Sequence, residues 1–123
     1  MITELTNSAR PLNREDIRPM ITAIIYGEKS VSDYEGGALL YEADNIYLLF
    51  GADSLYIRTI TRKYLFTLQY EYILRMALES DECGQLYLSI SMQDGLSVIL
   101  DESAVSFTAE AKRQVLEEQG GNR

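Results

Sequence analysis

Three pairs of carboxylates are the groups in this chain whose type and spacing best suit chemistry: Glu42 with Asp44, Asp81 with Glu82, and Asp101 with Glu102. Paired acids can move protons as general acid and base, or hold magnesium or calcium through oxygen ligands. None of the three has the twelve-position spacing of a calcium loop, and adjacent acids on a strand point to opposite faces. They are expected as solvated acids at strand ends and turns, with no metal and no other cofactor. Other chemistries are poorly supplied. The chain contains no histidine and a single cysteine, Cys83. That excludes Ser-His and Cys-His nucleophile pairs and zinc sites built from His and Cys. There is no phosphate-binding glycine loop and no nucleophile-elbow motif. Lys29, Lys63 and Lys112 carry no local signature of a catalytic lysine. The chain is read as a non-enzyme.

Charge is the more informative property. Nineteen acids stand against eleven basic residues, for a net charge of −8. Residues 28–53 hold Glu28, Asp33, Glu35, Glu42, Asp44 and Asp53 against Lys29 alone. Residues 54–76 reverse the balance, with Arg58, Arg62, Lys63 and Arg75 against Glu71. Residues 77–102 hold six acids and no basic residue. The mean field of such a protein repels nucleic acid and membrane surfaces and attracts basic proteins. Arg58, Arg62 and Lys63, near Tyr56 and Tyr64, resemble a small nucleic-acid patch, but intramolecular ion pairing is the expectation for them at this net charge. Nine tyrosines against three phenylalanines and no tryptophan form the other excess. Tyrosine combines a large contact area with a polar tip, which suits protein interfaces.

The elements that must position these groups follow from periodicity. The chain is expected to form one domain, 1–123, with 1–12 a loose arm and 120–123 a tail. Asn13 is a candidate N-cap, with Glu15 and Asp16 in the first turn and Ile17, Met20, Ile21 and Ile24 along one helical stripe. Gly27 can end that helix, and Pro19 should kink it or move its start. Residues 28–37 read as an acidic loop. Three short strands follow at 38–43, 46–50 and 55–60. Simple hairpins between them pair Leu39 with Phe50 and Leu55, and Tyr41 with Leu48 and Ile57, leaving Glu42, Tyr47 and Arg58 in a row on the opposite face.

Residues 62–79 alternate perfectly from Phe66 to Leu78 and also fit a helical stripe. Strands are usually below about ten residues, whereas a long unbroken segment rich in Leu, Gln, Glu, Arg, Met and Ala suits a helix, so a helix is expected here. Residues 85–92 alternate cleanly. A three-residue loop, Gln93-Asp94-Gly95, pairs Ile90 with Val98 and Leu88 with Leu100 without mixing faces. Thr108 then caps a final helix that ends at Gly120-Gly121. The result is an α+β domain of order α-β-β-β-α-β-β-α, with helices on an antiparallel sheet of about five strands.

Function is expected to rest on binding. A rigid acidic surface can imitate the phosphates of a nucleic acid and occupy the groove of an enzyme that handles it. The expected binding residues are Asp33, Tyr34, Glu35, Glu42, Asp44, Tyr47, Asp53, Glu79, Asp81 and Glu82. The expected partner is a basic protein: a nuclease, another nucleic-acid-binding enzyme or a toxin. In physical type this is similar to anti-CRISPR inhibitors and immunity proteins of phage and bacteria. The element order, over most of the chain, also looks like that of the small acidic chaperones of type III secretion, which implies a dimer holding a segment of another protein. A carboxylate or metal-dependent enzyme is the third alternative. Monomer and homodimer both remain open. No run of residues is long enough to span a membrane, no signal peptide begins the chain, and the lone cysteine fits a reducing compartment, so the cytoplasm is the expected location.

Overall fold

The cap of the first helix shows how local sequence sets the architecture. In the computed structural model, which describes residues 3–7, 10–31, 38–59, 61 and 65–120, helix α1 spans Arg14–Ile24. The Asn13 side chain accepts a hydrogen bond from the Asp16 N–H at 3.1 Å, and the Asp16 carboxylate accepts one from the Asn13 N–H at 2.9 Å. This reciprocal cap satisfies two donors that the first turn would leave free. Arg10 donates to both Asp16 oxygens at 2.7 Å, and that contact holds the Asp16 carboxyl below its ordinary range. Ile17, Met20, Ile21 and Ile24 are buried, as their spacing requires. Pro19 lies inside the helix on its exposed side and does not move its start, because the cap fixes the start at Asn13.

Gly27 does not end α1. The chain leaves the helix at Ile25, which is extended and bridges to Phe107. Thr108 closes this end by donating its N–H to the Ile24 carbonyl and its hydroxyl to the Ala23 carbonyl, both at 2.9 Å. The same hydroxyl accepts from the Ala111 N–H and so caps helix α2, Ala109–Gly120. One threonine thus joins the end of the first helix to the start of the last.

A five-stranded antiparallel sheet follows, in the order β2 (Glu28–Val31), β3 (Leu39–Glu42), β4 (Ile46–Phe50), β5 (Ser54–Thr59) and β6 (Leu65–Gln69). The pairing of Leu39 with Phe50 and Leu55, and of Tyr41 with Leu48 and Ile57, is as the alternation requires. Glu42, Tyr47 and Arg58 form the expected row on the outer face. Residues 28–31, expected as loop, are instead an edge strand on β3. The rest of that segment, with Asp33, Tyr34, Glu35 and the Gly36-Gly37 pair, lies outside the described residues, as do Arg62, Lys63, Tyr64 and Gly121.

Among the described residues of 62–79, which begin at Leu65, the expected helix is absent. The segment is β6, a single 3₁₀ turn at Tyr70–Tyr72, and β7 (Ile73–Ser80), and the two strands belong to different sheets. Alternation was the correct signal, and the length objection disappears once the chain turns a corner. Tyr70 makes that corner. Its N–H donates to the Asp53 carbonyl at 3.0 Å, and its buried hydroxyl donates to the Gly51 carbonyl at 2.9 Å. Burial pushes this phenol well above the ordinary tyrosine range. A raised phenol contributes stability that is fully present below its unfolded value, about 10, and is lost as pH rises beyond it. Tyr70→Phe should cost about 1–2 kcal/mol at neutral pH, because the Gly51 carbonyl loses its donor. It should also lose less stability than wild type between neutral and strongly alkaline pH. Urea unfolding across that range reads both effects.

The second sheet has the order β1 (Glu4–Thr6), β7, β8 (Leu86–Met92) and β9 (Ser97–Asp101). The amino-terminal segment expected as a loose arm therefore supplies an edge strand on β7, and Leu12, at the end of that segment, is buried. Three residues are too few to show periodicity. The β8–β9 hairpin has the expected register and the expected left-handed Gly95, with φ of 93°. Inner-face residues of both sheets, including Tyr41, Leu48, Phe50, Met76, Leu88 and Ile90, share one core with α1 and with Ala111 and Val115 of α2. The fold is α+β, with nine strands in two sheets and two helices among the described residues. The order α-β-β-β-α-β-β-α is roughly matched: edge strands β1 and β2 are added, and β6, a 3₁₀ turn and β7 stand where the middle helix was expected.

Candidate functional site: an acidic end built by turns

Carboxylates distant in sequence meet at one end of the molecule because short turns tie that end together. At the β3–β4 turn, Asp44 accepts a hydrogen bond from the Ser106 hydroxyl. Asn45 beside it donates its side chain to the Ser103 carbonyl at 2.9 Å and its N–H to the Ala104 carbonyl at 3.1 Å. Ser103 in turn donates its N–H to Asp101 at 2.9 Å and also gives that carboxylate its hydroxyl. Glu102 accepts from the Leu86 N–H at 2.8 Å. One residue before Leu86, Gln85 donates its N–H to Asp81, which also accepts from the Cys83 N–H, both at 2.9 Å. This chain of contacts links Asp44, Asp101, Glu102 and Asp81, with Glu42 and Glu82 beside it in sequence.

Several of these acids are structural as well as charged. Asp81 and Asp101 each satisfy backbone donors of their own turn, a role that short acidic side chains serve well. Hydrogen bonds from Ser103 hold the Asp101 carboxyl below its ordinary range, so it stays ionised into acid solution. Glu42 and Glu82 are exposed. None of Glu42, Asp44, Asp81, Glu82, Asp101 and Glu102 forms an ion pair with any described residue. Glu79 differs, being paired with Arg75 at 3.4 Å, and Arg75 also holds Glu4 at 3.0 Å.

Two tyrosines flank the charges. Tyr47 is half-buried on the outer face of the five-stranded sheet, directly across from Glu42. Tyr87 stands between Glu79 and Asp101 on the outer face of the other sheet. The Glu79 charge, with Asp81 contributing, pushes the Tyr87 hydroxyl above its usual range. Asp81, Gln85, Leu86, Tyr87, Ile99 and Asp101 line a shallow cleft of about 310 Å³. Cys83 is exposed in the adjoining turn, where Gly84 adopts a φ of 82°.

The acids expected to bind a partner divide accordingly. Glu42, Asp44, Glu79, Asp81 and Glu82, with Tyr47, lie at or beside this end. Asp53 does not, because it lies in the turn at the far end of β4, roughly 20 Å away at ~3.4 Å per residue. Its carbonyl instead receives the Tyr70 N–H. Asp101, Glu102 and Tyr87 also lie at this end, although nothing in their spacing places them beside Asp44. Contacts of Asp44 and Asn45 with residues 103–106 bring them there. Other tyrosines serve the interior: Tyr41 is buried, with its hydroxyl donating to the Ile25 carbonyl at 2.5 Å, whereas Tyr72 is exposed at the corner.

The carboxylates are spread along a surface and do not converge. Among the described residues no three His, Cys, Asp or Glu side chains gather closely enough to hold a metal ion. A larger cleft of about 510 Å³, lined by Thr67, Gln69, Tyr72, Met92, Gln93 and Asp94, lies at the opposite end of β8. Among the described residues no helix is long and apolar enough to cross a membrane. No family model matches the chain, and no curated protein or solved structure matches it.

Proposed function

We infer that this chain is a non-catalytic acidic binding module that occupies a basic surface of a nucleic-acid-handling protein and so keeps nucleic acid from it. The observation that carries this reading is the set of six carboxylates at one end without ion pairs to described residues, four of which, Asp44, Asp81, Asp101 and Glu102, are held by hydrogen bonds of the turns. The four carboxylates held by the fold need little further ordering when a partner docks, which favours affinity. Their shared sign steers a basic partner toward this end, and Tyr47 and Tyr87 add contact area beside them. In physical type the reading is that of an inhibitor of the anti-CRISPR or immunity-protein kind, working in the cytoplasm where such enzymes act.

Affinity capture tests it. The tagged protein is used to capture partners from bacterial lysate, with and without nuclease treatment, and is eluted by rising salt. The expected result is stoichiometric recovery of one basic nucleic-acid-handling protein, released by salt because screening weakens the attraction. Recovery should improve after nuclease treatment, since nucleic acid competes for the same surface. Failure to recover such a protein, or recovery only while nucleic acid is intact, would overturn the reading.

A further inference from the structure

The two edges of the four-stranded sheet are finished differently. On one, β1 adds only three residues to β7 and is fastened by charge: Glu4, opposite Ala77, reaches diagonally to Arg75 at 3.0 Å. On the other, no strand pairs beyond β9 among the described residues. In the β8–β9 hairpin the Met92 N–H donates to the Leu96 carbonyl at 2.8 Å. Hydrogen-bonded pairs alternate along an antiparallel ladder, so Ile90 with Val98 and Leu88 with Leu100 are the next two. Ser97, Ile99 and Asp101 consequently direct their N–H and C=O groups away from β8. The Asp101 carbonyl is taken by the Ala104 and Val105 N–H groups, each at 3.0 Å. The open stretch therefore runs from Ser97 to Ile99, as short as the stretch that β1 covers.

The side chains beside this edge define what fits it. The cleft of about 310 Å³ lined by Asp81, Gln85, Leu86, Tyr87, Ile99 and Asp101 opens on the outer face next to β9, and no basic side chain lines it. Neither Asp81 nor Asp101 forms an ion pair with a described residue. Two such carboxylates call for a cation. The Tyr87 ring and Ile99, which is 50% exposed, call for one on a long apolar stem, and lysine and arginine meet both demands. A second copy of β9 does not, because Ser-Val-Ile-Leu-Asp holds no cation and each chain carries a net charge of −8.

We propose that an extended basic segment of the partner adds to β9 as a short antiparallel strand, with a lysine or arginine opposite Ile99 whose side chain enters this cleft. This mode of binding rests on the reading of the chain as a binder of basic proteins and adds a backbone contact to it. The residue opposite Ile99 exchanges two backbone hydrogen bonds with it, and a second such pair forms at Ser97. Diagonal neighbours on one face of a sheet lie about 7–8 Å apart, within reach of a long side chain. The cation thus meets Asp101 as Arg75 is met by Glu4 on the opposite edge, with the signs exchanged.

Nuclear magnetic resonance titration of the wild-type protein with a short capped peptide alternating arginine with threonine tests this. The Ser97 and Ile99 amide signals should shift, and their exchange with solvent should slow severalfold. A peptide with glutamate in place of arginine should bind about tenfold more weakly or worse. So should the arginine peptide N-methylated at its arginines, which keeps its charge but loses the donors that face β9. Ile99→Pro removes one outward N–H without touching the ladder to β8 and should weaken binding to a similar degree. Should Ile99→Pro fail to fold, the N-methylated peptide gives the same answer. Unmoved Ser97 and Ile99 amides, or equal binding of the N-methylated peptide, would overturn strand addition. Either result leaves the attraction of the acidic end for a basic protein to be read separately, by salt-released capture.

Discussion

Gly27→Ala should destabilise the protein by about 3 kcal/mol, the upper end of the usual cost of overpacking. A Cβ at this position would lie 2.5 and 2.8 Å from two ring atoms of Tyr41 and 2.6 Å from the Glu42 carbonyl oxygen. Neither neighbour can retreat easily. The Tyr41 ring is buried and its hydroxyl is tied to the Ile25 carbonyl, two residues from the substitution itself. The Glu42 carbonyl belongs to the backbone of β3, which is paired on both sides. Gly27 is required by close approach of two chain segments, with no need for a left-handed conformation. For a chain of this size the change should lower the melting temperature by roughly 10 °C, measured by circular dichroism or calorimetry. Tyr41→Leu in the same chain should rescue little, because the clash with the Glu42 oxygen remains. An unchanged melting temperature in Gly27→Ala would mean that the chain from Ile25 to Glu28 does not run against β3 as described.

The same glycine shows which kind of information the sequence withheld. Read locally, a glycine three residues past a helical stripe is a helix stop; its actual reason is a ring that arrives from residue 41. Features set by neighbours in sequence were legible. The Asn13 cap, the register from Leu39 through Phe50 to Leu55, and the left-handed Gly95 all follow from alternation and turn chemistry. Residues 62–79 carry conflicting signals, because Leu, Gln, Arg, Met and Ala favour helix while their pattern favours strand, and pattern prevails once tertiary contacts supply the corner. Tyr70–Tyr72 contains no glycine or proline to mark that corner, and the carbonyls of Gly51 and Asp53 that anchor it lie nearly twenty positions earlier. The acidic end was half legible for a similar reason. Charge runs announced all three acid pairs, but only contacts between the β3–β4 turn and residues 103–106 place Asp101 and Glu102 beside Asp44.

Reversing two charges, Glu42→Lys with Glu82→Lys, should weaken binding to the captured basic partner by about a hundredfold while leaving the fold intact. These two are chosen because both are exposed and neither forms an ion pair or side-chain hydrogen bond with a described residue, whereas Asp44, Asp81, Asp101 and Glu102 each satisfy a donor. Surface changes away from such contacts alter stability by about 0.5 kcal/mol at most, so the urea midpoint of the double variant should match wild type. Affinity is measured by calorimetry at several salt concentrations, and the double variant should show the shallower dependence on salt. Asp53→Lys supplies the control. It reverses one charge at the far end of β4, where the proposed site does not reach, and should leave affinity nearly unchanged. If Asp53→Lys weakens binding as much per charge as the double variant does, the attraction comes from net charge alone and the acidic end is no site. If only the double variant weakens it, the partner reads charge at the acidic end and not net charge alone.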